Sequence, residues 1–315
     1  MNRERRFVLE ARAASVVESL VRRLPRRVAL ALGRGLGRIW ADLDPRHVAI
    51  AVDNLRHAFP HWDESRRLRT ARGVYAHFGE VIFDILWLHR LAPDEIMAFV
   101  DVEGVAEARA ALAEGRGSAM ATGHIGNWEL SGVAFGCLFG PSGVVARPLD
   151  NPLLDERLVA FRQKSGNAVI YKRQALSQAL RMIRAGQGVA FVVDQNVQAD
   201  EGIFVDFFGR PAASTTAVAA LAVRVGCPIL TGWAELRPSG RYTLHLGVIR
   251  PRAEADRASE VERLTQVLAH LIESWVRTAP EQWLWLHRRW KTRPAAELEA
   301  QSARSSDDGR PVAHA

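Results

Sequence analysis

The sequence predicts an α/β fold: a mainly parallel central sheet flanked by helices, with amphipathic helices ahead of it. Three observations predict this. From about residue 99, short apolar runs alternate with helix-length segments, the pattern of parallel strands joined by crossover helices. Before that point the apolar spacing is helical throughout. Finally, 48% of the 315 residues are hydrophobic, enough for a sizeable core.

In chain order, Val16, Val17, Leu20, Val21 and Leu24 fall on one helical face, with Arg22 and Arg23 off it. After Pro25 the pattern repeats with Val28, Leu32, Leu36, Ile39 and Trp40, and Arg26, Arg27, Arg34 and Arg38 are interspersed. Residues 45–98 continue as helices. Asp63 is placed to start the one over 64–89, whose apolar positions are Leu68, Val74, Phe78, Val81, Ile82 and Ile85.

Residues 99–103 then read as a strand, 105–114 as a helix and 117–122 as a strand. Helix 128–139, strand 143–147, helix 151–164, strand 168–171, helix 174–185 and strand 188–193 follow. Residues 228–235 and 242–248 form a strand pair around Pro238-Ser239-Gly240, and 258–278 is a last helix. The organisation expected is 1–45 as basic membrane-association helices, 46–294 as the main domain and 295–315 as a disordered tail.

The formal net charge is +7. The first 50 residues hold 11 arginines against five acids, so nearly all the excess lies there. A basic amphipathic helix pair is a membrane-surface signal; a surface helix packed on its own domain has the same pattern. Charge concentrated outside the α/β region argues against nucleic acid as partner. No signal peptide or membrane-spanning helix is expected: the longest uncharged run, 130–146, is broken by four glycines and a proline. Cys137 and Cys227 sit in apolar surroundings without metal-ligand spacing and read as two buried thiols.

The chemistry concentrates in G-H-I-G-N-W-E, residues 123–129. His124 follows a strand's C-terminal end, where open α/β sheets place ligands. Glu129 falls in the first turn of the next helix. A carboxylate brought onto the imidazole across this turn would make a general base able to take a proton from an alcohol. The helix N-terminus offers N–H groups to developing negative charge. The same spacing also suits a capping or core histidine. It is not H-E-x-x-H, so no metal is expected. There is no G-x-S-x-G elbow and no phosphate-binding Gly-rich loop after a strand.

Arg147 follows the next strand and Asp194-Gln195-Asn196 yet another, so all belong to one sheet edge. A guanidinium there suits a phosphate or polarised carbonyl; a salt bridge to Asp150 or Asp155 is the plainer reading. Ser214-Thr215-Thr216 reads as a helix cap or an anion site. The segment 280–294 interleaves Trp283, Trp285 and Trp290 with basic residues, a composition shared by lipid–water interfaces, single-stranded nucleic-acid sites and core-packed ends.

Taken in order, G-H-I-G-N-W-E-L (123–130), A-R-P-L-D-N-P (146–152), V-D-Q-N (193–196), V-D-F-F-G-R-P (205–211) and P-E-Q-W-L-W-L-H-R-R-W-K-T-R-P (280–294) resemble the bacterial lipid A late acyltransferases. N-L-R-H-A-F-P (54–60) looks like that family's N-terminal landmark. The resemblance covers roughly residues 15–294 and includes the H-x4-D/E motif of the lysophospholipid acyltransferase-like superfamily.

The resemblance implies a glycerolipid acyltransferase-like fold. It implies transfer of a fatty acyl group from an acyl carrier protein or coenzyme A thioester to a hydroxyl of a lipid A precursor. His124 would be the base and Glu129 its partner. Arg147 would hold acceptor phosphate or donor, while Asn127, Asp194, Gln195 and Asn196 would line the substrate site. A thioester is already activated, so no cofactor is expected. Family members often begin with a hydrophobic anchor. Here that region is arginine-rich, and peripheral attachment to the anionic cytoplasmic face of the inner membrane is expected instead. Acyl transfer to another bacterial glycolipid or phospholipid, thioester hydrolysis, and a non-catalytic basic membrane-binding protein are the alternatives.

Overall fold

The computed structural model describes residues 2–171, 175–295 and 297. Four helices open the chain: α1 (Arg3–Val21), α2 (Arg26–Leu43), α3 (Pro45–Ala58) and α4 (Glu64–Leu88). Asp44 and Asp63 start α3 and α4 by accepting the backbone N–H of His47 and of Arg66.

The two faces of α2 differ in residue size. Small residues meet α4: a Cβ on Gly37 would lie 2.1 Å from the Tyr75 carbonyl oxygen, and one on Gly33 2.3 Å from that of Gly79. The two backbones therefore touch. Val28, Leu32, Leu36, Ile39, Trp40 and Leu43 are left exposed, with Trp40 at 62%. On α1, Val16 and Leu20 are likewise exposed. The helix is fixed instead by polar contacts to the loop and helix near residue 151: Arg157 donates to Glu18 at 3.0 Å, and Asn151 donates to the Phe7 carbonyl at 3.0 Å.

After α5 (Pro93–Met97) the alternating part begins. Its elements are β1 (Val100–Glu103), α6 (Val105–Leu112), β2 (Ser118–Thr122), α7 (Trp128–Phe139), β3 (Gly143–Ala146), α8 (Pro152–Arg162), β4 (Ala168–Tyr171), α9 (Ala175–Arg184) and β5 (Gly188–Val192). A hairpin of β6 (Ile203–Phe207) and β7 (Arg210–Ser214) follows, then α10 (Ala217–Val225), β8 (Ile229–Leu236), β9 (Tyr242–Ile249) and α11 (Arg257–Thr278).

Seven strands form one sheet in the order β1-β9-β8-β2-β5-β3-β4. From β8 to β4 all pairs are parallel, and β9 runs antiparallel to β8. The α/β expectation with a mainly parallel sheet therefore holds. Apolar clusters cover both faces of the sheet, one under α9–α11 and one under α6 and α7.

Several local expectations differ. The β6–β7 hairpin is separate from the main sheet and was not read from the sequence. Its second strand, Arg-Pro-Ala-Ala-Ser, carries a proline and no β-branched residue, so propensity gives no strand signal. Cys227 is buried, but Cys137 is exposed on α7, because that helix presents position 137 outward. Thr216 occupies the N-cap position of α10, but the capping bond of the Ser214-Thr215-Thr216 triplet comes from its neighbour: Thr215 Oγ1 accepts the Ala217 N–H at 3.3 Å. The expected tail, 295–315, lies outside the described residues apart from 295 and 297, as does the start of the helix expected from residue 174.

Candidate active site

Register decides what meets at the sheet edge. Strands β2 and β5 pair in parallel with Thr122 opposite Val192, and Val193 N–H donates to the Thr122 carbonyl at 3.0 Å. Two residues beyond that pair on each chain stand His124 and Asp194, which are thereby neighbours. The Asp194 carboxylate contacts His124 Nδ1 at 2.8 Å through Oδ1. Its Oδ2 accepts the His124 backbone N–H at 2.7 Å and Trp283 Nε1–H at 2.7 Å.

Electrostatics follow from this geometry. Asp194 is 2% exposed, and burial alone would raise its pKa. The His124 charge, with hydrogen bonds from His124 and Trp283, outweighs burial and holds the carboxyl well below the usual range. Burial likewise pushes His124 down, but the charge and hydrogen bond of Asp194 overcome it, and the imidazole pKa is raised. The His124 side chain keeps 20% of its surface open. Because Nδ1 is engaged with a carboxylate, Nε2 is the nitrogen left to exchange a proton.

Glu129 does not orient the imidazole, contrary to the sequence expectation. Its carboxylate receives both arms of Arg162, at 2.7 and 2.6 Å, and Trp128 Nε1–H at 3.1 Å. The reason is helical phase. Glu129 is the second residue of α7, and its side chain turns toward the end of α8, where Arg162 stands. Trp128 lies edge-on to His124, with ring centroids 5.3 Å apart. Arg162 Nη1 is buried without a hydrogen-bond partner among the described residues.

The remaining candidates separate. Arg147 leaves β3 on the same edge, but it is exposed and has no ion pair among the described residues. Asp155, its candidate partner, accepts from Leu149 N–H and Tyr171 Oη–H instead. The buried guanidinium beside the site is Arg162; no sequence signal marked it, because it lies at the last residue of a helix. Asn127 is fully buried and faces away from solvent, so it cannot line an open substrate site. Gln195 is exposed. Asn196 exchanges hydrogen bonds with Thr292, at 2.9 and 3.1 Å, and ties the loop after β5 to the chain's last described segment.

That segment acts as a strap. Gly126 N–H donates to the Gln282 carbonyl at 2.9 Å, and Leu284 N–H donates to the His124 carbonyl at 3.0 Å. Trp283 and Trp285 are fully buried and Trp290 nearly so. Of the three readings open for 280–294, the structure selects core packing. Asn54 donates to the carbonyls of Trp285 and His287, both at 2.8 Å, which anchors the strap to α3. Under it, a cavity of about 10 Å³ is lined by Asp194, Ser214, Thr215 and Arg289 among others. Arg289 is 2% exposed, and burial lowers its pKa to about 10.

Among the described residues, no group of three or more His, Cys, Asp or Glu side chains is placed to hold a metal. A base, a carboxylate fixing its tautomer and a buried cation with a spare donor are what the edge offers. That set can deprotonate an alcohol and stabilise a developing negative charge.

Residues 11–292 match the family model for bacterial lipid A biosynthesis acyltransferases. The chain is 29% identical over 280 residues to the lipid A biosynthesis lauroyltransferase of Escherichia coli (strain K12), covering 87% of this chain and 89% of the relative. It is 27% identical over 275 residues to the lipid A biosynthesis palmitoleoyltransferase of the same organism, covering 87% and 88%. A phosphatidylinositol mannoside acyltransferase of Mycolicibacterium smegmatis (strain ATCC 700084 / mc(2)155) is 27% identical over 228 residues, covering 71% and 72%.

Proposed function

The chain belongs to the bacterial lipid A biosynthesis acyltransferase family and is an acyltransferase acting on a glycolipid; from that premise we propose that it moves a fatty acyl group from an acyl carrier protein or coenzyme A thioester to a hydroxyl of a lipid A precursor. The contact of His124 Nδ1 with Asp194 at 2.8 Å carries this reading.

In the proposed step, Nδ1–H donates to Asp194, and Nε2 takes the proton of the acceptor hydroxyl. The alcohol oxygen attacks the thioester carbonyl and forms the new C–O bond. The tetrahedral intermediate collapses with loss of the C–S bond, and the thiolate takes the proton from His124. Arg162, held by Glu129, places a buried positive charge near His124 that favours negative charge on the intermediate. Arg147 and Gln195, each exposed after a strand end on the same edge, are available to the donor or acceptor at the rim.

The exposed apolar face of α2, with arginines along its flanks, supports peripheral attachment to the cytoplasmic face of the inner membrane. Among the described residues, no helix is long and apolar enough to cross a membrane. Binding to anionic vesicles should fall sharply at high salt or on deletion of residues 1–40; undiminished binding would exclude this mode.

The function is tested by incubating the purified protein with acyl carrier protein and coenzyme A thioesters and a lipid A precursor, and weighing the products by mass spectrometry. A mass increase of one acyl chain, absent in His124→Ala, is expected. Free fatty acid without acylated lipid would identify a thioesterase instead. Acylation of phosphatidylinositol mannoside alone would move the assignment to that branch.

A further inference from the structure

We propose that Tyr242, Asp84 and Arg26 are positioning residues for acyl transfer, holding the catalytic turn at residues 123–129 through the side chain of Asn127. The proposal rests on the reading of His124 as the base.

Asn127 is the N-cap of α7, three residues after His124 and two before Glu129. Its Oδ1 accepts the Leu130 N–H at 3.0 Å, and its Nδ2 donates to Tyr242 Oη at 3.1 Å. Tyr242 Oη–H in turn donates to Asp84 Oδ2 at 2.7 Å. Asp84 receives Arg26 Nε and Nη2, both at 2.7 Å. Arg26 also donates to the Gly240 carbonyl and stacks over the Phe99 ring at 4.6 Å. The chain of contacts links the first residue of α2, the last turns of α4, the start of β9 and the catalytic turn.

Each link has only one polarity. A guanidinium can only donate and a carboxylate only accept. Tyr242 must therefore give its hydrogen to Asp84, and its oxygen is left to accept. That requirement orients the Asn127 amide with nitrogen toward Tyr242 and oxygen toward the helix. A rotated amide would lose both bonds at once in a site where Asn127, Tyr242 and Asp84 are completely buried.

Capping alone does not require this arrangement, because a serine would cap α7 by itself. A buried ion pair also gains little over apolar side chains of the same volume. What the chain of contacts supplies is a unique orientation of the helix start relative to the sheet. The turn's other supports are Asp194, His77 and the strap at residues 124–126, and the Asn127 N–H donating to the Ala234 carbonyl at 2.9 Å. All act on backbone atoms or on His124 and leave the Asn127 side chain to set the first turn of α7. Asn127 fixes the phase of α7, and with it the place of Glu129 and Arg162 relative to His124.

Tyr242→Phe and Asn127→Ser each cut the same link while leaving the cap in place. Both, and the double variant, are assayed as full-length protein at temperatures where melting curves show them folded. Each single change should lower kcat roughly tenfold or more with KM nearly unchanged, as expected for a misplaced catalytic group. The double variant should be no slower than the slower single one, because one link is lost only once. Labelled-histidine NMR should show the His124 imidazole signal moved in both variants. Unchanged kcat in Tyr242→Phe, or multiplicative losses in the double variant, would overturn the proposal. His124→Ala run alongside separates the two claims: retained activity there removes the base assignment, while the NMR coupling still decides whether the contacts position the turn.

Discussion

Asp194 meets His124 across 70 positions of sequence, at 2.8 Å, because β2 and β5 are adjacent and in register. Asp194→Asn tests this contact with little change of shape. An asparagine oxygen can still accept from His124 N–H and Trp283 Nε1–H, which share one carboxylate oxygen. The amide nitrogen would then face Nδ1 and donate to it, placing the imidazole proton on Nε2. That is the wrong tautomer for a base, and kcat should fall by about 10²–10⁴-fold. The melting temperature should move far less than in Asp194→Ala.

The same contact sets a pH dependence. His124 accepts a proton only when neutral, and its pKa is raised because Asp194 outweighs burial. Activity should therefore rise with pH through an inflection above 6.5. In Asp194→Asn the inflection should move down, since burial then acts without its counterweight. For stability, a raised folded pKa means the His124–Asp194 attraction is fully present below about 6.5 and is lost as pH rises through the folded value. A pH–rate profile of both proteins checks the direction.

How much of this was legible in the sequence follows from the range of each interaction. His124 was found because a strand end, two glycines and a helix start are adjacent in sequence. Asp194 was placed on the correct edge by the same local logic. Its partnership with His124 was not legible, because nothing local reports which strands are neighbours or in what register. Glu129 does not touch the imidazole, for the complementary reason: five residues of spacing allow contact, but helical phase directs the carboxylate to Arg162, and only its charge reaches His124, whose pKa it helps to raise. The tryptophans of 280–294 show the limit of composition, since one pattern serves an interface and a core equally.

His77 is buried against the catalytic turn, with Nε2 3.2 Å from the Gly126 carbonyl. Burial pushes its pKa down to about 4, so the neutral ring donates this bond. Here the sign is opposite to that of His124. The unfolded chain binds a proton near pH 6.5 and the folded one does not, so stability is lost as pH falls from about 6.5 toward 4. The full loss is about 3 kcal/mol. His77→Gln keeps a donor without the titration. Urea denaturation at pH 7.5 and 5 should show a smaller difference for the variant than for the parent protein.

Glu129 and Arg162 form a buried pair, with side chains 7% and 12% exposed. Glu129→Ala leaves a buried guanidinium without its carboxylate and should lower stability by about 3–5 kcal/mol. Replacing both residues by methionine removes the charge together with its partner, so the double variant should be more stable than the single one. Activity should be lost in both if Arg162 serves the reaction. Denaturant midpoints and kcat, measured on the same preparations, separate the structural effect from the chemical one.

The seat of α2 is tested by two glycines two residues apart. A Cβ at Gly35 meets nothing within 4 Å, whereas one at Gly37 would lie 2.1 Å from the Tyr75 carbonyl oxygen. Gly35→Ala adds a better helix former at no steric cost and should stabilise the protein by about 0.5–1 kcal/mol. Gly37→Ala must push α2 off α4, and overpacking of this kind costs about 1–3 kcal/mol. Arg26 sits at the start of the same helix, so displacement there also strains its bonds to Asp84. Gly37→Ala should accordingly lower kcat as well as the melting temperature, while Gly35→Ala raises the melting temperature and leaves kcat alone. Equal effects at the two positions would mean that α2 does not rest on α4 through its small-residue face.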